Sequence, residues 1–211
     1  MDTTAPVRLS RKERELQFRM NLVLDAAEEI FAEASYAQVS VEEIAQRAEI
    51  SVGTLYNLFH SKEDIYRGVV SRAQDIFFKN LELESEEARG PKEKVHAVVR
   101  YAFEHFSKYS RQFRHYVSAT NGFQWELKSK LERDAFDAQQ SFMGKLVEIC
   151  QRGMDEGMFK KGLPAELMAV TLMGVPHSFL MVWLEQEGVD LRSLIPPALT
   201  VADRVTGASD A

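Results

Sequence analysis

The sequence predicts an all-α fold of about nine helices. Apolar residues recur at helical spacing in nearly every segment, and no run shows the sustained alternation that indicates a β-strand. A serine followed three residues later by Glu, Thr or Asp is a pattern typical of helix N-termini. It occurs four times in the first third of the chain, at Ser10, Ser40, Ser51 and Ser61.

These four serines mark the starts of the first four predicted helices. The helices are expected from Ser10 to about Ala34, from Ser40 to about Ala48, over about Val52–Phe59, and from Ser61 towards Leu83. The third is short and carries Gly53 near its start, where glycine costs about 1 kcal/mol relative to alanine. Its stability must therefore come from its neighbours.

The rest of the chain is predicted to hold longer helices. The polar stretch 84–91, which contains Gly90 and Pro91, is expected to end the fourth helix. Helical patterns follow at 92–109, 111–119, 123–153, 164–185 and 190–205. The adjacent prolines Pro196 and Pro197 are expected to start or distort the last of these.

Composition places the chain among soluble globular proteins. It has 211 residues, 45% apolar and 27% charged, with a net charge of −6. A single cysteine, Cys150, excludes an intramolecular disulfide and fits a reducing cytoplasm. The most apolar stretch, 167–184, is too polar for a confident membrane span, and the N-terminus has no secretory apolar run. We therefore expect a cytoplasmic protein without a membrane partner.

Residues 40–59 have the layout of a helix-turn-helix. Small Ala45 allows the two helices to approach closely, and Leu55 is placed to fill the angle between them. Leu58 and Phe59 are expected to point inward beside Leu55. The outer face of the second helix is then predicted to carry Val52, Gly53, Thr54, Asn57 and His60.

Four pieces of residues 24–66 follow one composite pattern. They are A-A-x-x-x-F in the first helix, S-V-x-x-I-A-x-x-A in the second, S-x-G-T-L-Y-x-x-F in the third and S-K-E-D at the fourth. This stretch closely resembles the N-terminal DNA-binding domain of TetR-family transcriptional regulators. The resemblance implies a helix-turn-helix DNA-binding domain with a basic arm at 1–64 and a helical ligand-binding and dimerisation domain at 65–211.

Two glycines common in the family are replaced. Glu49 stands in the helix-turn-helix turn, and Ser35 stands before Tyr36. If Glu49 adopts a left-handed conformation, the strain costs on the order of 1 kcal/mol. Val52 also stands where the family often has a cation or proline.

DNA contacts are predicted on the third helix and its flanks. Thr54 and Asn57 are the candidates for reading bases, because asparagine can pair with adenine and threonine can meet a thymine methyl group. Gly53 would permit close backbone approach, and Val52 would add apolar contact. Phosphate contacts are expected from Tyr56, His60 and Lys62. Ser40 and Ser51 are expected mainly to cap helices, and Ser40 is also a candidate phosphate contact. Arg8, Arg11 and Arg14 could follow the DNA backbone or enter the minor groove.

Aromatic and polar residues beyond residue 92 suggest an apolar site for a small-molecule effector. A helical stripe of aromatics is equally typical of a core, so each residue has that alternative. The candidates are Arg100, Phe103, His105, Phe106, Tyr116, Phe123, Trp125, Phe142 and His177. No cofactor or metal is predicted, because the histidines lie too far apart for a recognisable metal motif.

The helix at 164–185 is too apolar to have one fully wet face. The family resemblance implies that it pairs with its two-fold mate in a homodimer, as a palindromic operator requires. The predicted interface residues are Val170, Gly174, Ser178, Met181 and Val182.

The predicted function is a sequence-specific transcriptional regulator bound to double-stranded operator DNA, a repressor released by a small apolar effector. An activator, or a regulator without an effector, fits the same sequence. An all-helical enzyme or carrier is the alternative from another class. It lacks support because the chain shows no nucleophile–base spacing, metal cluster or phosphate loop.

Overall fold

The computed structural model describes residues 10–34, 36–108, 133–186 and 188–208. These residues form α-helices and one 3₁₀ helix and contain no strand, which confirms the all-α prediction. The α-helices are α1 (Arg11–Glu33), α2 (Val41–Arg47), α3 (Val52–Leu58), α4 (Lys62–Glu87), α5 (Gly90–Lys108), α6 (Arg133–Asp155), α7 (Ala165–Glu185) and α8 (Ile195–Thr206), and the 3₁₀ helix is Leu191–Leu194.

Some predictions fall outside the described residues. The short helix expected at 111–119 and the first part of the helix expected at 123–153 are among them. So are three candidate effector residues, Tyr116, Phe123 and Trp125, and the arm residue Arg8.

The four serines act as helix caps, as predicted. Ser10 and Ser40 each form a full capping box, in which the serine side chain accepts from the third helical N–H and a glutamate side chain accepts from the serine N–H. Ser51 and Ser61 accept from the backbone of Thr54 and Asp64. Each cap satisfies a backbone N–H that would otherwise lack an intrahelical partner.

The prediction that α4 ends in the polar stretch 84–91 is confirmed, because the helix ends at Glu87, four residues beyond Leu83. Leu81 and Ser85 are buried in this last part, so it has an inner face despite its polar sequence. Lys145 of α6 also donates to Glu82 and Glu86, at 2.5 and 2.6 Å. Tertiary contacts therefore hold turns that local composition does not favour.

The prolines near the C-terminus behave in two ways. Pro196 and Pro197 lie in the first turn of α8, where the missing N–H costs nothing. Pro176 lies inside α7, which nevertheless runs unbroken to Glu185. The single pattern at 190–205 is thus a 3₁₀ turn followed by an α-helix.

Two separate apolar cores are present. The first joins α1, α2, α3 and the start of α4, and its most deeply buried members are Val23, Ala27, Ile44, Leu55 and Ile65. The second joins the end of α4 to α5, α6, α7 and α8, with Leu81, Phe103, Phe142, Leu146 and Leu172 among its fully buried residues. Among the described helices, α4 alone contributes buried residues to both cores.

Among the described residues, α7 alone is long and apolar enough to cross a membrane. The evidence is length and composition only, which the core helix of a soluble protein can match. Met168, Leu172 and Val175 of this helix are buried in the second core.

Candidate DNA-binding surface and effector region

The turn between α2 and α3 is tight and left-handed at one residue. Glu49 has φ 55°, the one positive φ at a non-glycine residue in the described part of the chain. Its N–H donates to the Gln46 carbonyl at 3.2 Å, and the Ile50 N–H donates to the Ala45 carbonyl at 3.0 Å. This is the paired hydrogen bonding of a Schellman motif, with glutamate at the position that glycine usually takes. Glu49 therefore adopts the left-handed conformation that the sequence had left open.

The inner side of α3 is packed as predicted. Leu55 has no exposed surface, and Phe59, just after the helix, is 4% exposed. Both belong to the core that contains Ile44 and Ala45 of α2. A helix of seven residues is too short to be stable alone, so these contacts hold it in place.

The outer side of α3 carries polar groups that make no core contact. Gly53, Tyr56, Asn57 and His60 are exposed, whereas Val52 and Thr54 are half-buried. A Cβ at Gly53 would meet only the Ser51 hydroxyl, at 3.9 Å, so no packing inside the chain requires glycine there. Open space at a helix start permits close approach of a ligand to the backbone.

Two predicted contact residues are already engaged within the chain. The Ser51 hydroxyl accepts from the Thr54 N–H at 3.0 Å and lies 2.8 Å from the Thr54 hydroxyl oxygen. The Ser40 hydroxyl accepts from the Glu43 N–H and lies 2.8 Å from a Glu43 carboxylate oxygen. Ser40 and Ser51 are therefore helix caps in this structure. The hydrogen bonds of Thr54 involve its hydroxyl and its N–H and leave its methyl group out.

Lys62 has a structural role that the sequence did not suggest. Its ammonium donates to the backbone carbonyls of Tyr36 and Val39, both at 2.9 Å. It also lies 4.4 Å from the centre of the Tyr36 ring. These contacts fix the connection between α1 and α2 to the start of α4. They leave the predicted phosphate contact of Lys62 less well supported than those of Tyr56 and His60.

Two arginines of α1 and α2 form ion pairs within the N-terminal region. Arg47 is paired with Glu29 at 2.8 Å and Arg19 with Glu15 at 2.8 Å. Arg11 and Arg14 are exposed at the start of α1, before the first core begins. Arg11 and Arg14 therefore remain candidates for contact with the DNA backbone, whereas Arg19 and Arg47 are held by acidic side chains.

Aromatic rings from α4 and α5 form a cluster on one side of the second core. The Phe77 ring lies 4.9 Å from the His105 ring and 5.2 Å from the Phe106 ring, measured between centroids. The Tyr101 hydroxyl lies 3.2 Å from His105 Nδ1. Burial lowers the pKa of His105 to about 4, with a smaller effect from Lys108. The histidine is therefore an uncharged hydrogen-bonding group at neutral pH.

The other predicted effector residues divide by position. Phe103 and Phe142 are fully buried core residues, and Phe142 lies 6.0 Å from the Phe78 ring. His177 is half-buried on α7, and burial lowers its pKa. Arg100 is exposed on the outer side of α5 and so does not join the aromatic cluster.

Sequence reasoning missed the contribution of α4 to this region. Phe77 and Phe78 are half-buried against the second core, and Gln74 lies one turn earlier. The Gln74 carboxamide oxygen is buried and has no hydrogen-bond partner among the described residues. The sequence feature that could have indicated this contribution is the pair of adjacent phenylalanines within a long predicted helix.

Two surface grooves among the described residues lie away from this cluster. The larger has a volume of about 510 Å³ and lies between the end of α6 and the start of α7. Its lining includes Glu148, Asp155, Glu156 and Glu166, and none of the clustered aromatic residues lines it. Its acidic character does not suit an apolar effector.

Comparison with known proteins identifies the N-terminal unit. Residues 23–69, which hold α2, α3 and the turn at Glu49, match the model of bacterial regulatory proteins of the tetR family. Residues 23–69 are thus similar to the DNA-binding domain of TetR-family regulators.

Relatives extend the TetR-family likeness to most of the chain. The fatty acid metabolism regulator protein of Bacillus subtilis is 27% identical over 77% of this chain and 81% of its own length. The transcriptional activator FasR of Mycolicibacterium smegmatis is 30% identical over 51% of this chain and 47% of its own length. The latter match therefore spans about half of that relative.

A solved structure shows the same fold. The transcriptional regulator FadR of Bacillus subtilis, crystallised with stearoyl-CoA, has a TM-score of 0.69 and 24% identity. The likeness covers 90% of this chain and 99% of that one.

The match and the relatives establish the class of activity, a DNA-binding transcriptional regulator. Regulators of the TetR family bind operator DNA and small-molecule effectors and act as dimers. The expectation that the chain is not an enzyme is confirmed by the non-enzymatic character of its relatives.

One face of α7 is apolar and exposed. Leu167, Val170 and Val182 are 54–55% exposed, and a Cβ at Gly174 would meet nothing within 4 Å. Ser178 and Thr171 are exposed on the same face, but their hydroxyls bond to carbonyls of α7 itself. Met181 is half-buried. The five predicted dimer residues thus include two large, exposed apolar side chains.

Proposed function

We propose that this protein is a homodimeric repressor that leaves a palindromic operator when it binds a long-chain acyl-CoA thioester. It would act in the cytoplasm, where the operator DNA lies. The observation that carries the DNA-binding part is the outer face of α3. That face exposes Tyr56, Asn57 and His60 and carries an unfilled glycine position at Gly53.

The division of roles on α3 follows from exposure. Asn57 is exposed on a helix that fits the major groove, and its carboxamide can pair with adenine. Gly53 lets the helix start approach closely, with Val52 and the Thr54 methyl beside it for apolar contact. Tyr56 and His60, both exposed, are the phosphate contacts in this proposal.

The acyl-CoA part is supported by relatives and by chemistry. One relative that matches most of this chain is a fatty acid metabolism regulator, and a regulator of the same fold was crystallised with stearoyl-CoA. Phe77, Phe78 and Phe106 supply half-buried apolar surface, and Tyr101 with His105 supplies uncharged hydrogen-bonding groups. An acyl chain with a neutral thioester carbonyl needs both kinds of contact.

The proposed dimer interface is the exposed face of α7. Val170 and Val182 lie on it at the spacing of a continuous stripe, with small Gly174 between them. Val170→Lys should give a monomer in light scattering, because a charge would be buried in an apolar contact. Ile76→Lys, at an exposed apolar residue of α4, is the matched control and should stay dimeric.

The DNA-binding proposal is tested by fluorescence anisotropy with DNA from upstream of the gene that encodes this protein. We expect tight, sequence-preferring binding. Asn57→Ala should reduce the preference for operator over scrambled DNA by about tenfold, because one bidentate base contact is worth about 1–3 kcal/mol. Equal binding of operator and scrambled DNA by the unaltered protein would refute the proposal.

The effector proposal is tested separately on the same complex. Stearoyl-CoA, stearate and CoA alone are titrated into protein bound to operator. Release by stearoyl-CoA, with little effect of the other two, is expected. Release by stearate alone would show that the acyl chain suffices, and no release by any of them would refute the effector while leaving DNA binding intact.

An activator is the second candidate, because a partial relative carries that name. Transcription in vitro from the bound promoter separates the two. Addition of the protein lowers transcript yield if it is a repressor and raises it if it is an activator.

A further inference from the structure

The covered face of α4 is polar in the stretch between the two cores. Val69 belongs to the first core, and Phe77 and Phe78 pack against the second. Between them lie Ser71, which is 4% exposed, and Gln74, whose carboxamide oxygen is buried. Polar side chains therefore take positions on α4 where the neighbouring turns carry apolar ones.

Two buried polar atoms of this stretch have no hydrogen-bond partner among the described residues. They are the carboxamide oxygen Oε1 of Gln74 and the guanidinium nitrogen Nε of Arg67. Arg67 bonds to Asp64 through a different nitrogen, Nη2, so this ion pair leaves its Nε unfilled. Arg67, Ser71 and Gln74 follow one another at spacings of four and three residues and so share one face of the helix. That face holds an unfilled donor and an unfilled acceptor.

The glutamine at position 74 is not explained by folding stability. Buried polar atoms in folded proteins nearly always have a hydrogen-bond partner. A buried acceptor without one is unfavourable, because it has lost its bonds to water and gained none in exchange. An apolar side chain of similar length would avoid this loss. A bound molecule that donates a hydrogen bond to Gln74 would account for the glutamine.

The surroundings of Gln74 indicate which part of an effector reaches it. Gln74 lies one turn before Phe77 and Phe78, and the Phe77 ring lies 4.9 Å from the His105 ring. An acyl chain against these rings would run past Gln74. A saturated chain has no hydrogen-bonding group, and a thioester carbonyl only accepts, so neither can fill the Gln74 oxygen. A hydroxyl group can, and it can also accept from an N–H such as that of Arg67.

We propose that Arg67, Ser71 and Gln74 form a polar subsite that binds a hydroxyl group on the acyl chain of the effector, with Gln74 Oε1 accepting the hydroxyl hydrogen. The preferred effector is then a hydroxyacyl-CoA thioester rather than a saturated acyl-CoA. This inference rests on the proposed acyl-CoA effector and adds the chemical group that the site selects. Sites built to hydrogen-bond a hydroxyl group discriminate strongly against analogues that lack it.

The test measures affinity by isothermal titration calorimetry with the full-length protein. The ligands are stearoyl-CoA, β-hydroxystearoyl-CoA and a stearoyl-CoA with its hydroxyl in the middle of the chain. The unaltered protein should bind one of the hydroxylated ligands about tenfold more tightly than stearoyl-CoA. Gln74→Met keeps the length of the side chain without the acceptor and should lose this preference. Gln140→Met, at an exposed glutamine of α6, is the matched control and should keep it.

The possible results separate this inference from the effector proposal. If the unaltered protein binds all three ligands equally, or if the preference survives in Gln74→Met, the hydroxyl subsite is overturned while an acyl-CoA effector stands. An equal loss of affinity for all three ligands in Gln74→Met would place the donor in the shared CoA part, such as a pantetheine amide, and would also overturn it. Binding of none of them by the unaltered protein would refute the acyl-CoA effector and this inference with it.

A second measurement needs no ligand. Gln74→Met should raise the midpoint of thermal unfolding of the free protein by about 2–4 °C, because the unpartnered oxygen is gone. Gln140→Met should leave the midpoint close to that of the unaltered protein, because its side chain is exposed. An unchanged or lower midpoint in Gln74→Met would show that the oxygen is already satisfied in the free protein, for example by a buried water, and would contradict the proposal.

Discussion

The Lys62 ammonium packs over the Tyr36 ring, 4.4 Å from its centre, and bonds to the Tyr36 carbonyl at 2.9 Å. One side chain thus holds both the ring and the backbone of a residue 26 positions earlier. Tyr36 in turn lies against Phe31 and Tyr66. The first residue of α4 is therefore fixed to the connection between α1 and α2.

Lys62→Met should lower the free energy of unfolding by about 1–3 kcal/mol, because two partly buried carbonyls lose their donor. Thermal unfolding with Lys79→Met as control measures this, since Lys79 makes only a surface pair with Asp75. The salt dependence of DNA binding should keep its slope. A slope smaller by about one would instead show that Lys62 contacts a phosphate.

Glu49→Gly should raise the free energy of unfolding by up to about 1 kcal/mol, because glycine adopts φ 55° without a Cβ clash. Chemical denaturation measures the change. Glu49→Ala keeps the Cβ and should give no such gain. If both variants stabilise equally, strain at this turn is not the cause.

Gly153→Ala should destabilise the second core by about 1–3 kcal/mol, because its Cβ would lie 2.2 Å from a Phe159 ring carbon. Gly144→Ala on the same helix meets nothing within 4 Å and should stabilise by up to about 1 kcal/mol. Opposite signs in denaturant titrations are the expected outcome. Matching signs would mean that Phe159 yields to the added methyl group.

His105 should make the protein less stable as pH falls from 6.5 to about 5. Burial lowers the folded-state pKa from 6.5 to about 4, so in this window the unfolded chain gains a proton that the folded chain does not. Above pH 6.5 both states are neutral and the histidine has no effect. Allowing for solvent screening, the loss at pH 5 is about 1–2 kcal/mol.

Unfolding titrations at several pH values test this against His105→Gln, which lacks the titrating group. The difference in stability between pH 7 and pH 5 should be smaller in the variant. Burial also lowers the pKa of His177, so part of the acid sensitivity should remain. Identical pH profiles for the two proteins would contradict the assignment to His105.

The features predicted best from the sequence are those that depend on residues close together in the chain. The serine caps and the left-handed Glu49 depend on hydrogen bonds between residues three to five positions apart, so a short stretch contains all that is needed. The inward-facing residues of α3 were predicted from helical spacing for the same reason. Its packing against α2 then places the remaining residues on the outer face.

Features that depend on contacts between residues far apart in the sequence were not predicted. The last turn of α4 depends on Lys145, 59 residues from Glu86, and the role of Lys62 depends on carbonyls 23 and 26 residues away. Arg100 was predicted in the effector region because its neighbours are apolar, yet it lies on the outer side of α5. Helical spacing says which residues share a face but not which neighbour covers that face.

The separation of the two cores has a consequence for how such a regulator can diversify. Substitutions that alter α3 act on one packed unit, and substitutions that alter the aromatic cluster act on another. Because α4 alone among the described helices is buried in both, DNA preference and ligand preference can change in separate mutational steps, each with small effects on the other. The residues least free to vary are then those of α4 between Gly68 and Leu81, which both halves of the molecule must accommodate.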